Sequence, residues 1–91
     1  MLVKNLHNGD AYITGGALNA WKKYKDKENE DILCVRCKKR FAQHGGHVIK
    51  AASVAEKSWY IVPLCLQCNE LKDNESFYVT DSDLVKVSDL T

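Results

Sequence analysis

Four cysteines in two matched pairs carry the clearest chemical signal in the sequence. Two residues separate Cys34 from Cys37, two separate Cys65 from Cys68, and 27 residues lie between the pairs. A two-residue spacing lets one tight turn aim both sulfur atoms at an ion about 2.3 Å away, so two such turns supply four thiolates for a tetrahedral zinc ion. Because four protein ligands leave no open coordination position, the spacing predicts one structural Zn²⁺ per chain.

Two other uses of paired cysteines fit the sequence less well. Disulfides would require a secreted protein, and a thioredoxin-like redox pair would require a βαβ context without a second matching pair. Residues 1–5 become polar too early for a secretory signal, which favours a cytoplasmic location. The longest mostly apolar stretch, residues 60–66, contains a proline and is far shorter than the roughly 20 residues of a membrane-spanning helix, so no membrane role is expected.

The size and charge of the chain limit its function further. With 91 residues and a formal net charge of +1, residues 1–91 are expected to form one domain that needs a stabilising element besides its hydrophobic core. A near-neutral chain does not coat nucleic acid through bulk charge alone. The charge is uneven, however, because residues 32–55 contain five basic residues and no acidic one, whereas residues 70–91 contain six acidic and two basic residues.

The segments before the cysteines predict a short strand and a helix. Residues 3–6 have strand character, residues 8–10 form a turn pattern, and residues 26–31 are a charged, solvated linker. Between them, residues 17–25 place Leu18 and Trp21 on one helical face, which predicts an amphipathic helix.

The segments around and after the cysteines predict a hairpin and a second helix. Phe41 is expected to pack over the first cysteine turn. Residues 47–50 and 59–62 predict a β-hairpin that ends at Pro63, and the following residues, up to Lys72, suit a short helix whose first turn carries the second cysteine pair. Residues 77–80 and 84–87 predict two more strands.

The connection between these last strands has two interpretations. Residues 81–83 form a turn in the first. In the second, a helical turn begins at Thr80, because Thr80 and Asp83 have the spacing of a capping box. In either case the fold class is α+β, a small treble-clef zinc-binding domain made of a zinc knuckle, a β-hairpin and a short ligand-bearing helix. Its core covers about residues 32–73, with an N-terminal helix and extra C-terminal strands.

The motifs resemble one known family. Cys34-x2-Cys37, then His47-Val48-Ile49, then Val62-Pro63-Leu64-Cys65-x2-Cys68-Asn69 followed by Lys72 is similar to the zinc-bearing branch of the HNH endonucleases, over residues 33–72. The resemblance implies a structural zinc on the four cysteines and a second, catalytic divalent ion such as Mg²⁺ beside the hairpin and the helix.

The resemblance also implies catalytic roles and shows where they are lost. His47 takes the position of the general base, and Asn69 takes the last metal-binding position. The Asp that commonly precedes the base is replaced by Gly46, and the Asn that orients the base is replaced by Tyr60. Since a catalytic ion needs more than one weak oxygen ligand, nuclease activity is expected to be weak or lost.

Two alternatives to a lost activity remain open at this stage. An active metal-dependent nuclease would use His47 as base, with Asn69 and perhaps His44 holding the ion. His47 would otherwise be a half-buried strand residue with a structural role.

The basic residues near the first cysteine pair predict contact with nucleic acid, either DNA or RNA. The alternative is local compensation, since four thiolates on one zinc ion carry a net charge of about −2 that nearby cations offset. Four aromatic residues are expected in the core rather than as stacking platforms: Trp59, Tyr60, Phe77 and Tyr78. The basic residues proposed for nucleic-acid contact are Arg36, Lys38, Lys39, Arg40 and Lys50.

A third hypothesis is a non-enzymatic protein-interaction module, for example a phage or mobile-element inhibitor. In this hypothesis the domain offers a helix, a sheet edge or the acidic C-terminal segment to another protein, and an acidic surface can imitate nucleic acid to occupy the binding site of a partner. The sequence leaves the target sequence and the oligomeric state open.

Overall fold

An antiparallel sheet forms the centre of the structure. The computed structural model describes residues 1–5, 16–51, 58–70 and 76–90. Within these ranges the sheet has five strands in the spatial order β4-β1-β2-β3-β5. The strands are β1 (Leu2–Asn5), β2 (His44–Lys50), β3 (Tyr60–Leu64), β4 (Ser76–Tyr78) and β5 (Val85–Lys86).

Short helices accompany the sheet. In the described part of the chain there are two α-helices, α1 (Ala17–Tyr24) and α2 (Leu66–Asn69), and two 3₁₀ helices at Asp81–Asp83 and Val87–Asp89. The α+β class, the N-terminal helix, the hairpin and the short helix after Cys65 are thus confirmed. None of these helices is both long and apolar enough to cross a bilayer.

Alternation along the strands divides the core between the two faces of the sheet. In β3, Val62 and Leu64 belong to one apolar cluster, which also contains Val48 of β2 and three of the four cysteines. Ile61 points to the opposite face and packs in a second cluster with Trp21 of α1. Every side chain of β3 is buried, because β3 serves both clusters.

Helix α1 packs directly on the beginning of β2. The indole N–H of Trp21 donates a hydrogen bond to the carbonyl of Asp83 at 2.9 Å, which links the helix to the C-terminal segment. A Cβ atom at Gly45 would lie only 2.6 to 2.7 Å from atoms of Ala17 and Leu18. The absence of a side chain at Gly45 therefore lets the first turn of α1 approach the strand.

The prediction that Pro63 ends the second hairpin strand is wrong, because β3 continues to Leu64. Pro63 pairs with Gly45 of β2, and its carbonyl accepts a hydrogen bond from the Val35 N–H at 3.0 Å. The N and the C=O of one strand residue face the same side. The nitrogen of Pro63 therefore faces away from β2, so the lack of an N–H removes no hydrogen bond from the ladder between β2 and β3.

The C-terminal segment follows the second of the two interpretations of its sequence. Thr80 and Asp83 form a capping box around the 3₁₀ helix Asp81–Asp83. The strand after it is shorter than predicted and contains only Val85–Lys86. Of the four aromatic residues expected in the core, Tyr60 and Phe77 are buried and Trp59 is partly buried, but Tyr78 is 75% exposed on the edge strand β4.

Some predicted features lie outside the described residues. They are the turn at 8–10, most of the loop between the hairpin strands, and the part of the second helix beyond residue 70.

Candidate metal centre

The four cysteines come together in one cluster, as their spacing predicts. Their sulfur atoms all lie within 4.8 Å of one another, and the Sγ atoms of Cys37 and Cys65 are 3.8 Å apart. A tetrahedron of sulfur atoms about 2.3 Å from a central ion has edges of about 3.8 Å. None of the four thiols is in a disulfide. This cysteine cluster, formed by Cys34, Cys37, Cys65 and Cys68, therefore has the spacing and the donors to hold one metal ion.

A short two-stranded ribbon positions the first cysteine pair. The N–H of Cys34 donates to the carbonyl of Arg40 at 2.8 Å, and the N–H of Ala42 donates to the carbonyl of Ile32 at 2.7 Å. Between the two arms the chain turns tightly, with the Lys38 N–H donating to the Cys34 carbonyl at 2.9 Å. Lys38 completes this turn in the left-handed region, at φ 56°, where glycine is the residue with no steric penalty.

The hairpin brings the second pair to the first. Cys65 directly follows β3 and is the N-cap residue of α2, and its carbonyl accepts the Asn69 N–H at 2.9 Å. Backbone hydrogen bonds of 3.0 Å from Val35 to Pro63 and from Gln43 to Leu64 tie the first pair's turn and the residues after it to the end of β3. Both cysteine pairs are therefore attached to the same strand end.

The environments of the thiols differ across the cluster. Backbone N–H groups of Lys39 and then Arg40 donate to the sulfur of Cys37 and lower the pKa of this thiol to about 6. At Cys68, burial is the main cause of a pKa raised well above the ordinary value. Cys37 is also the only member of the cluster that is partly exposed, since the other three are buried. Cys37 is therefore the member most accessible to reagents in solution.

We expect Cys37 to be the first cysteine that iodoacetamide modifies in the folded, metal-loaded protein. Its partial exposure favours its reaction, because the other three sulfur atoms are buried. Mass spectrometry of peptides after short exposure measures the order of modification. In urea with a chelator, the order should disappear because the environments are lost. First modification of Cys34, Cys65 or Cys68 in the folded protein would contradict the expectation.

The two residues proposed for catalysis lie on opposite faces of the sheet. His47 pairs with Ile61, which places it on the face covered by α1, and its ring meets the ring of Trp59 edge-on at 6.1 Å. Asn69 lies on the other face, where a Cβ atom at Gly46 would be 3.2 Å from its side-chain oxygen. The fold therefore does not bring the imidazole of His47 and the amide of Asn69 to one face of the sheet.

Gly46 is the position where the HNH resemblance expects an Asp. Gly46 is buried, and a Cβ atom there would overlap the Cδ1 atom of Leu64. The place that the resemblance assigns to a carboxylate is thus filled by the side chain of Leu64, beside Asn69. An apolar side chain cannot bind a cation.

His44, rather than His47, is the described histidine that shares a cavity with Asn69. Both residues line a cavity of about 300 Å³ between the start of α1 and the end of α2, together with Gln43 and Gly45. The backbone carbonyl of Asn69 accepts a hydrogen bond from the buried Asn5 side chain at 2.9 Å, which connects the end of α2 to β1. His44 is therefore the imidazole that an ion near Asn69 would meet.

The five predicted basic residues divide into two groups. Arg36 lies over the ring of Phe77, with 4.9 Å between the guanidinium carbon and the ring centroid. Lys50 lies over the ring of Tyr60 at 5.0 Å. These two cations therefore lie against buried aromatic rings of the protein. The other three are consecutive and exposed, and we refer to them as the basic turn: Lys38, Lys39 and Arg40.

Phe41 was expected to pack over the cysteine turn, and this is wrong because its side chain is 58% exposed. Phe41 forms an isolated antiparallel bridge with Leu33, which is also exposed, at 47%. Two apolar residues flanking a metal turn suggest burial when the sequence is considered alone. The pairing of residues 33 and 41, which gives them a common side, becomes visible only in the structure.

Comparison with known proteins adds no relative to this description. No protein-family model, curated protein or solved structure matches the chain.

Proposed function

We propose that this protein is a zinc-stabilised, HNH-like domain of the treble-clef type that binds nucleic acid and has lost nuclease activity. The observation that carries the proposal is the basic turn. Its backbone amides bind the sulfur of Cys37, while its three side chains are exposed to solvent.

Zinc is supported by the donor set. Four thiolates at tetrahedral spacing are typical of structural zinc sites, and a closed set of four ligands leaves no position for a substrate. The treble-clef assignment is supported by the order of the parts: the turn at 34–37, the hairpin of β2 and β3, and α2 directly after Cys65.

We expect purified protein to contain one zinc ion per chain, and we expect Cys65→Ser to lose both the metal and the fold. Binding of a structural zinc contributes directly to folding free energy, and Cys65 is buried in the main apolar cluster. Elemental analysis and far-UV circular dichroism measure the two effects, with Gln67→Ser, an exposed neighbour on α2, as the matched control.

The zinc proposal also predicts how the wild-type protein responds to loss of its metal. Complete removal of the metal with a chelator should unfold the protein. An unchanged melting curve after metal removal would contradict the proposal.

Nucleic-acid contact is supported over local charge compensation by the positions of the side chains. Compensation would require the cations to lie against the sulfur atoms, but the basic turn meets Cys37 with its main chain and directs its side chains outward. Lys38 also occupies a left-handed position, where a non-glycine residue is disfavoured by about 1 kcal/mol or more.

We expect the triple variant Lys38→Glu, Lys39→Glu, Arg40→Glu to lose DNA binding at low salt. If all three residues contact phosphates, their loss lowers the slope of log affinity against log salt by about 2 to 3 units. Fluorescence anisotropy at several salt concentrations measures both quantities. The matched control makes the same charge change at exposed lysines elsewhere: Lys23→Glu, Lys27→Glu and Lys86→Glu. Equal loss of binding in both triples would show that only bulk charge matters.

A single substitution distinguishes nucleic-acid contact from charge compensation at the metal. Lys38→Gly relieves the left-handed strain and removes one cation. If Lys38 contacts phosphate, this variant is more stable to urea and binds DNA more weakly, with unchanged zinc affinity. Weaker zinc binding in Lys38→Gly would instead favour compensation.

Loss of nuclease activity is supported by the surroundings of Asn69. The facing residue is Gly46, and the adjacent space is filled by Leu64. Hydrolysis of a phosphodiester through such a site needs a divalent ion held by more than one weak ligand.

We therefore expect no nicking of supercoiled plasmid by the wild-type protein with added Mg²⁺ or Mn²⁺. Gel electrophoresis of plasmid after prolonged incubation checks this expectation. Metal-dependent nicking that disappears in His47→Ala or in His44→Ala would contradict it and would support the active nuclease.

A protein-interaction module is less well supported by the C-terminal acidic segment. The carboxylate of Asp83 accepts hydrogen bonds from the N–H and the hydroxyl of Thr80, at 3.1 and 2.9 Å. Asp83 is therefore engaged in the local capping box, whereas Asp81 and Asp89 of the same segment are exposed.

A further inference from the structure

We propose that Phe41 is a stacking platform for an unpaired base, and that the nucleic acid bound by the basic turn is single-stranded. This role rests on the nucleic-acid binding proposed above and adds the class of ligand. It is carried by an exposed aromatic side chain that directly follows three exposed cations in the chain.

The backbone fixes Phe41 in place. The Leu33–Phe41 bridge is flanked by hydrogen bonds from Cys34 to Arg40 and from Ala42 to Ile32. In this pattern the bridged residues form a non-hydrogen-bonded pair, whose side chains project to the same side and lie close together. Phe41 is thus presented to solvent on a ribbon that the cysteine cluster anchors, so little conformational freedom is lost when a ligand covers it.

The neighbours of Phe41 identify the chemistry of the ligand. Lys38, Lys39 and Arg40 immediately precede Phe41 in the chain, so their Cα atoms lie within about 11 Å of its own. Residues 32–55 contain no acidic residue. A ligand for this surface therefore has a flat apolar face and several negative charges close to it.

Single-stranded nucleic acid has both properties. Its bases are unpaired and present their faces to aromatic side chains, and its phosphates follow the same strand. In a duplex the base faces are stacked inside the helix, so Phe41 would contribute nothing to binding.

A second copy of the chain fits this surface less well. A symmetric dimer through Phe41 would place the same patch of both subunits in contact. The two basic turns would then face each other, and their like charges would repel.

The test compares single-stranded and duplex oligonucleotides of the same sequence and length, as DNA and as RNA, in fluorescence anisotropy titrations. We expect Phe41→Ala to weaken single-strand binding by about 5- to 150-fold, the range for loss of one stacked base, and to leave duplex binding unchanged. Phe41→Trp should retain single-strand affinity. Tyr78→Ala is the matched control, because Tyr78 is also an exposed aromatic residue but lies on β4, away from the first cysteine pair in the chain.

Zinc content and melting temperature should be unchanged in Phe41→Ala, since the side chain is exposed. Equal effects of Phe41→Ala on single strands and duplex, or no effect on either, would overturn the stacking role. In that case the basic-turn variants still report separately on nucleic-acid binding. Absence of binding by the wild type to any oligonucleotide would overturn both proposals. A dimer detected by light scattering that Phe41→Ala abolishes would assign the surface to a second copy instead.

Discussion

The convergence of four cysteine sulfur atoms within 4.8 Å of one another is the constraint on which the rest of the structure depends. Cys34, Cys65 and Cys68 belong to the same apolar cluster as Val3 of β1 and Phe77 of β4. The cysteine cluster is thus part of the main core. In a domain of this size the apolar core alone supplies little net stability, so an ion held by the cluster would stabilise the sheet as well.

Strand β3 connects the packing around the cysteine cluster to the packing on the other face of the sheet. Its Val62 and Leu64 pack toward the cysteine cluster, whereas Ile61 packs against Trp21 of α1. Leu64 also fills the space beside Gly46 and Asn69. The side chain that packs toward the cysteine cluster therefore occupies the place where the HNH resemblance would put a carboxylate.

Features that depend on local spacing could be predicted from the sequence, and features that depend on distant partners could not. The cysteine pairs, the helix at 17–24 and the hairpin follow from short patterns, because each is decided by residues within a few positions. Pro63 inside β3 required knowledge of which side of the strand is paired. The place of β1 between β2 and β4 likewise depends on long-range pairing that no local pattern encodes.

The site was predictable to the same extent. Its ligands were evident from spacing, but the face of each side chain was not. The resemblance assigns His47 and Asn69 to one site by motif position alone, whereas the strand register places them on opposite faces of the sheet. The residue type of Phe41 favours the interior, yet in its bridge with Leu33 the side chain is exposed.

Two departures from local preference lie close together in the chain, directly after the first cysteine pair. Lys38 holds a left-handed conformation, and Phe41 keeps most of its ring in water. Small domains are stable by only about 5 to 15 kcal/mol in total, so a strained lysine and an exposed phenylalanine are a substantial expense for this one. Such departures from consistent local preference concentrate at functional sites. Because backbone hydrogen bonds hold this ribbon together beside the cysteine cluster, both residues are available to the nucleic acid that we propose as the ligand.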